Sequence, residues 1–233
     1  MSEPFLCSKC NALHLPGPCP TAISGDGLNK KSDIDSSPDI GREQLLEILA
    51  AGNVDWFNKY VKSKEGQRNR ADLSGVDFSK FNIDGIHFYF INLEGANFSG
   101  MKLNDVRFES CQLQRANFQS IKGYDSIVFI KCELQGANFS SADFEGSEFD
   151  DSNLSGAVFK DSQIIGGIFI RANLIGADFT GADLEKADFE DADCTNAKFD
   201  GSNFYRANFW GVKGLRPEMQ QDILSALKDS MRS

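Results

Sequence analysis

The chain predicts an all-β fold, a parallel β-helix coiling in square turns, on three observations. Counting back in fives from Phe209, almost every stop is Phe, Leu or Ile, as at Phe204, Phe199, Phe189, Leu184 and Phe179. Two residues before each stop sits a small or modest side chain, as at Ala207, Ala197, Ala192 and Ala187. Ser-Gly or Glu-Gly often follows the stop, as at Ser74-Gly75 and Glu94-Gly95. A period of five matches neither the helix repeat of about 3.6 nor the strand repeat of about 2. It requires a unit that turns a corner every five residues, with the central residue and the one two before it on the same side of a short extended segment. Glycine supplies the turn through positive φ. Four such sides close one square turn of the coil.

Residues 1–20 differ in kind from the array. Cys7, Cys10, His14 and Cys19 are spaced C-x2-C-x3-H-x4-C. Four thiol and imidazole groups in a short span suit tetrahedral zinc with every position filled, a structural site with none open for catalysis. The spacing resembles the zinc knuckle of nucleic-acid-binding proteins, with one residue fewer before the histidine. Residues 21–37, rich in Ser, Asp, Gly, Asn and Lys, read as a flexible linker. Over residues 38–70 a helical pair is expected. Pro38 opens the first helix with Ser37 as N-cap, Leu45, Leu46, Ile48 and Leu49 form its apolar face, and Gly52 ends it. Asn53 caps a second helix carrying Val54, Trp56, Phe57, Tyr60 and Val61. The pair covers the first coil, whose exposed strand edges would otherwise recruit another chain.

The array spans 71–211 and holds 28 centres from Leu73 to Phe209. The step from Phe118 to Phe129 is one residue too long, so one residue is inserted within 119–128, with Tyr124 as the expected centre and a bulged corner near 123–125. Phe alternates with Leu or Ile, which places Phe columns on two opposing faces. Cys111, Cys132 and Cys194 fall at inward positions and read as small core residues. Segments such as Ala71–Gly75 (ADLSG), Gly95–Ser99 (GANFS), Gly176–Thr180 (GADFT) and Gly181–Glu185 (GADLE) resemble the pentapeptide-repeat family. That resemblance implies a right-handed quadrilateral β-helix. With four faces the centres make about seven coils, a rod roughly 30–34 Å long. Residues 212–233 begin a helix at Pro217 with Met219, Ile223, Leu224, Leu227 and Met231 on one side, either a cap or a dimerisation helix.

Charge sets the functional expectation. The chain carries 34 acidic and 24 basic residues, net −10. Attraction to DNA phosphates needs clustered Lys and Arg, so the rod itself is not expected to bind nucleic acid. No apolar run approaches the length of a membrane span, and unpaired core cysteines suit a reducing compartment, so a cytoplasmic protein without membrane contact is expected. The two histidines, His14 and His87, join no catalytic constellation, and no enzyme is expected. Numbering faces from Leu73, face three collects Asp84, Asp125, Asp143, Glu145, Asp183 and Glu185 against Lys102. Face four collects Glu109, Glu148, Asp150, Asp188 and Glu190 against Arg107. An acidic rod of this kind is expected to bind protein. The repeat region resembles quinolone-resistance members, which implies mimicry of DNA at a type II topoisomerase (gyrase or topoisomerase IV) and its protection from inhibitors. Face four also presents Ile130, Ile168 and Ile170 outward, beside Tyr89 and Val128, an apolar stripe suited to a general interaction scaffold.

Overall fold

The structure, a computed structural model, describes Phe5–Leu6, Leu13–His14 and residues 40–63, 71–123 and 127–219. The chain divides into two units, Met1–Ile40 and Gly41–Ser233. In the first, strands β1 (Phe5–Leu6) and β2 (Leu13–His14) pair antiparallel.

The second unit opens with α1 (Arg42–Ala50) and α2 (Val54–Ser63). The first helix starts later than Pro38. Gly41 is still extended (φ −74°, ψ 168°), and its N–H donates to Gln44 Oε1 at 3.2 Å. Ser37 and Pro38 lie outside the described residues. Of its expected apolar face, Leu45 and Leu49 are buried. Asn53 caps α2 as expected, Oδ1 accepting from Trp56 N–H at 3.3 Å. Phe57, Tyr60 and Val61 are buried, and the Phe57 ring meets Phe88 edge-on at 5.7 Å.

The array is a stack of parallel ladders. Each extended residue pairs with one 20 or 21 residues on, as in Asp72↔Asn92↔Gln112↔Glu133 and His87↔Arg107↔Val128↔Glu148. Few of these pairings extend to strands, because a five-residue side leaves room for only two or three extended residues. Those that do are β3 (His87–Tyr89), β4 (Lys102–Leu103), β5 (Arg107–Glu109), β6 (Lys122–Gly123) and β7 (Val128–Ile130). The core is filled by two Phe columns on opposing sides. Phe118, Phe139 and Phe159 stack face to face at 4.9 and 4.8 Å, and Phe129, Phe149 and Phe169 at 5.0 and 4.9 Å. Between the columns the rings meet edge to face, as Phe139 does with Phe149 at 5.6 Å. Cys111, Cys132 and Cys194 are buried and free. The Cys111 and Cys132 thiols lie 3.3 and 3.4 Å from the carbonyls of Phe88 and Phe108, the place taken one coil later by the Ser152 hydroxyl, which donates to Phe129 O at 2.7 Å.

The insertion falls within 119–128 as expected, but the central residue differs. Leu103 pairs in register with Gly123, and Lys122 pairs with Asp143, so Gly123 takes the central slot and not Tyr124. The extra residue therefore falls within 124–126, which, with Tyr124, lie outside the described residues. At the other end the ladder runs past Gly211, since Asp193 pairs with Lys213. The chain turns helical at 217–219, and Met219 is buried. Ile223, Leu224, Leu227 and Met231 lie outside the described residues.

The first coil has no neighbour on its open side, yet two of its backbone groups are paired there. Asn58 Oδ1 accepts from His87 N–H, and its Nδ2 donates to Gly85 O, both at 2.8 Å. One side-chain amide thus stands in for the missing strand. Arg42 does the same nearby, Nη2 donating to Ser74 O at 2.7 Å. Asn58→Ala leaves both partners unmatched and is expected to lower stability by about 1–3 kcal/mol, with end-to-end association visible in light scattering. Asn58→Asp, which keeps only the acceptor, should fall between. Unchanged urea unfolding and unchanged mass in the alanine variant would show that water replaces the amide.

Candidate functional site

The five backbone N–H groups of one repeat account for its acidic sequence. Around Phe139, the Ala137 N–H closes the corner on Leu134 O (3.0 Å) and the Asn138 N–H pairs back to Ala116 O (3.0 Å). The Phe139 and Ser141 N–H groups pair forward to Val158 O and Lys160 O (2.7 and 2.8 Å). Only Ser140 N–H lacks a backbone acceptor, and Asn138 Oδ1 takes it at 3.0 Å. Where the residue before the centre is Asp or Asn, its side chain can satisfy the one amide the ladders miss, which favours those residues there. Asn138, Asn117 and Asn97 also donate along the axis to the side chain one coil back, at 3.5 and 3.1 Å where they meet each other.

Several of the expected partner-binding acids are thus also structural. Asp183 Oδ1 accepts from Glu185 N–H (3.1 Å) and Asn203 Nδ2 (2.9 Å), and Asp188 Oδ1 from Glu190 N–H and Asn208 Nδ2 (both 2.9 Å). Asp84 accepts from Asn104 N–H at 3.2 Å. Of the acids following a centre, Glu145 is exposed, while Asp150, Glu185 and Glu190 are half-buried on the outer surface. Lys186 Nζ pairs with Glu185 at 2.9 Å. Asp125 lies outside the described residues.

The change of central residue from Tyr124 to Gly123 alters face three. With Gly123 in the central slot, Lys122 stands directly between Lys102 and Asp143. After Asp84 in the first coil this face is therefore basic at Lys102 and Lys122, and its acidic run begins at Asp143. The missed signal was Gly123: an apolar centre was required of a slot that a glycine fills. On face two the charges compensate, Asp178 lying 3.4 Å from Lys160 and 3.7 Å from Lys198. Burial opposes its ionisation, but hydrogen bonds from Thr180 and Lys160 hold the Asp178 carboxyl below the ordinary range. Among the described residues, Glu145, Glu148, Asp150, Asp188 and Glu190 have no such base within ion-pair distance.

Face four is banded and not striped. Val128, Glu148, Ile168 and Asp188 succeed one another in one ladder column, and Ile130, Asp150, Ile170, Glu190 and Trp210 in the next. Apolar rows thus alternate with acidic ones. The reason is a second period of 40 residues, visible in the acids of 143–150 and 183–190 against Gln163, Ile165, Ile168 and Ile170 between them. Val128 is buried, while Ile130, Ile168 and Ile170 are half-buried and Trp210 is 75% exposed. At the adjoining corner Arg171 bonds Asp151 twice, at 2.7 and 2.9 Å.

Asp150 stands apart. Its Oδ1 is buried without a hydrogen-bond partner among the described residues. Burial raises its carboxyl above the ordinary range against a backbone hydrogen bond from Ile170, and neighbouring Glu148 and Asp151 add to the rise while Arg171 opposes it. A raised carboxyl favours the folded state while protonated, and that stabilisation is lost as pH rises through its folded value. Asp150→Asn is therefore expected to raise the melting temperature at pH 7, with the difference fading below about pH 3.9. A melting temperature lowered at pH 7 would contradict this.

The expected zinc ligands Cys7, Cys10 and Cys19 lie outside the described residues, and of His14 only the backbone, in β2, is described. No group of metal-binding side chains occurs among the described residues, and no described helix is long and apolar enough to cross a membrane.

Sequence comparison matches residues 65–139 to a pentapeptide repeat region and residues 132–169 and 168–204 to pentapeptide repeats. The chain belongs to the pentapeptide repeat family. No curated protein matches it. Among solved structures, this pentapeptide repeat chain is similar to a trypsin-treated form of QnrB1, a plasmid-mediated fluoroquinolone resistance protein, at 18% identity over 68% of this chain and 96% of that one, with a TM-score of 0.43. It is also similar to a pentapeptide repeat protein of the Arabidopsis thaliana thylakoid lumen (25% identity, 58% and 75% coverage, TM-score 0.31). A third is Rfr23 of the cyanobacterium Cyanothece 51142 (20% identity, 66% and 91% coverage, TM-score 0.33).

Proposed function

We propose that this chain is a non-enzymatic rod that binds protein through its acidic faces. Its target is a DNA-binding groove, most specifically that of a type II topoisomerase (gyrase or topoisomerase IV), which it occupies as a DNA mimic and shields from inhibitors. The observation that carries this reading is the run of outward carboxylates on faces three and four from Asp143 to Glu190, where, among the described residues, only Glu185 has a base at ion-pair distance. Four carboxylates recur with every second coil, or about one per 2.4 Å of axis at a strand spacing of about 4.8 Å. Duplex DNA carries about one charge per 1.7 Å. Capture from a bacterial lysate on the full chain, with and without added duplex DNA, tests it. The expected result is a topoisomerase that DNA displaces; a captured partner indifferent to DNA would count against it.

A second reading, a general interaction scaffold unrelated to topoisomerases, is favoured by Ile130, Ile168 and Ile170 at outward positions. It predicts binding that salt hardly weakens. Residues 212–233 either cap the rod or pair two of them, which sedimentation at two concentrations separates. The buried free thiols of Cys111, Cys132 and Cys194 suit a cytoplasmic protein. For the first unit the proposal is one structural zinc held by Cys7, Cys10, His14 and Cys19. Metal analysis of untagged protein is expected to find one zinc per chain, and stoichiometry near zero under reducing conditions would refute it. The rod is expected to keep its melting temperature after chelation.

A further inference from the structure

The alternating rows of face four define what fits against them. A second copy of this chain would set acid on acid in register, or acid on apolar when shifted by one row. A nucleic acid would meet the same carboxylates with like charge. The occupant must bring cations to the Glu148–Asp150 and Asp188–Glu190 rows and apolar side chains to the rows of Ile130 and of Ile168 with Ile170. Rows repeat every ~4.8 Å. An extended strand lying along the axis offers same-side residues every ~6.8 Å, which falls out of step by the second row. A helix offers one turn every ~5.4 Å, so over three rows it drifts by about 2 Å, within the reach of Lys and Arg side chains.

We propose that face four, from Ile130 to Trp210, is a docking surface for a cationic amphipathic helix lying along the rod, with Lys or Arg and Leu or Ile alternating turn by turn in one stripe. The helix's apolar residues pack on Ile130 and Ile170, and its cations reach Asp150 and Glu190 between and beyond them. Two features of the rod fit this use. Trp210, the most exposed large apolar side chain described, closes the series where the next apolar row falls. Asp150, set between Ile130 and Ile170, is half-buried on the outer surface with no base at ion-pair distance among the described residues, and a cation laid over that row supplies one. The inference rests on the reading that the rod binds protein through its faces, and it adds the partner's chemistry on this face.

The test uses the full chain and a synthetic helical peptide of about 18 residues with the alternating stripe, read by fluorescence anisotropy. Controls are a peptide of equal composition with Lys and Leu on separate faces, and an all-Lys peptide. The expected result is binding of the alternating peptide at least tenfold tighter than of either control. Ile130→Ser with Ile170→Ser, and separately Asp150→Asn with Glu190→Gln, should each weaken it about tenfold without lowering the melting temperature below assay conditions. Equal binding of the three peptides, or no loss in either double variant, overturns the proposal. Capture of a DNA-displaceable topoisomerase by a rod that does not discriminate among the peptides would overturn this inference alone and leave the DNA-mimic reading standing.

Discussion

Phe139→Asp is expected to leave no folded rod at room temperature. Phe139 is fully buried, stacked between Phe118 and Phe159 at 4.9 and 4.8 Å and meeting Phe129 and Phe149 edge-on at 5.6 Å. Removing the ring alone, as in Phe139→Ala, costs about 3–5 kcal/mol, a large part of the roughly 5–15 kcal/mol that holds a typical domain together. The aspartate adds a charge with no partner in a dry column, which raises the loss further. Stacking transmits the defect, because each ring is the floor of the next. Phe139→Leu keeps most of the volume and should lose far less. Urea unfolding of the three variants orders them Leu, Ala, Asp. An aspartate variant with wild-type cooperativity would mean that the columns do not carry the stability of the fold.

Replacing Asp143, Glu145, Asp183 and Glu185 by Asn or Gln together is expected to abolish binding to a basic groove while leaving the rod folded. The structure explains why the fold should tolerate it. Asp183 is needed as an acceptor for Glu185 N–H and Asn203 Nδ2, and an asparagine oxygen accepts equally well. Glu145 is exposed, and the Glu185 side chain pairs only with Lys186 among the described residues. Binding through these charges should also weaken steeply between low and physiological salt, since exposed charges are screened beyond about 8–10 Å. Ile130→Ser with Ile168→Ser and Ile170→Ser should leave topoisomerase binding nearly unchanged. Full affinity in the four-carboxylate variant would end the DNA-mimic reading. Loss on removing the isoleucines, with little salt dependence, would establish the scaffold reading in its place.

Much of this protein is legible in its residues because a repeat repeats its physics. A period of five, with Phe or Leu at the centre and Ala or Ser two before it, determines by itself which side chains face inward. The structure buries most of them, Phe98, Leu134, Phe159 and Cys194 alike, while Phe204 and Phe209 of the last coil are half-buried. The facing Phe columns follow from the same count, since four sides per turn bring Phe118, Phe139 and Phe159 into line. The Asn53 cap is equally local, one side chain bonding an amide three residues on.

What only the tertiary structure decided depends on contacts 20 residues or more apart. Whether Gly123 or Tyr124 fills a central slot is a matter of register with Leu103, and local pattern favours the larger residue. That Asn58 completes the first coil requires α2 to lie against Gly85 and His87. Assigning the acids to faces gives the side they share, but only the ladders show acid rows stacked between apolar ones. The alternation was present in the sequence as a 40-residue period, but its meaning depends on the register of each coil on the next. Burial of the Asp150 oxygen follows from that same stacking, with Ile130 and Ile170 on either side. The sequence by itself determined the inside of the rod, because inward position is set within five residues; its outer surface was decided by the fold, because neighbours there come from different turns.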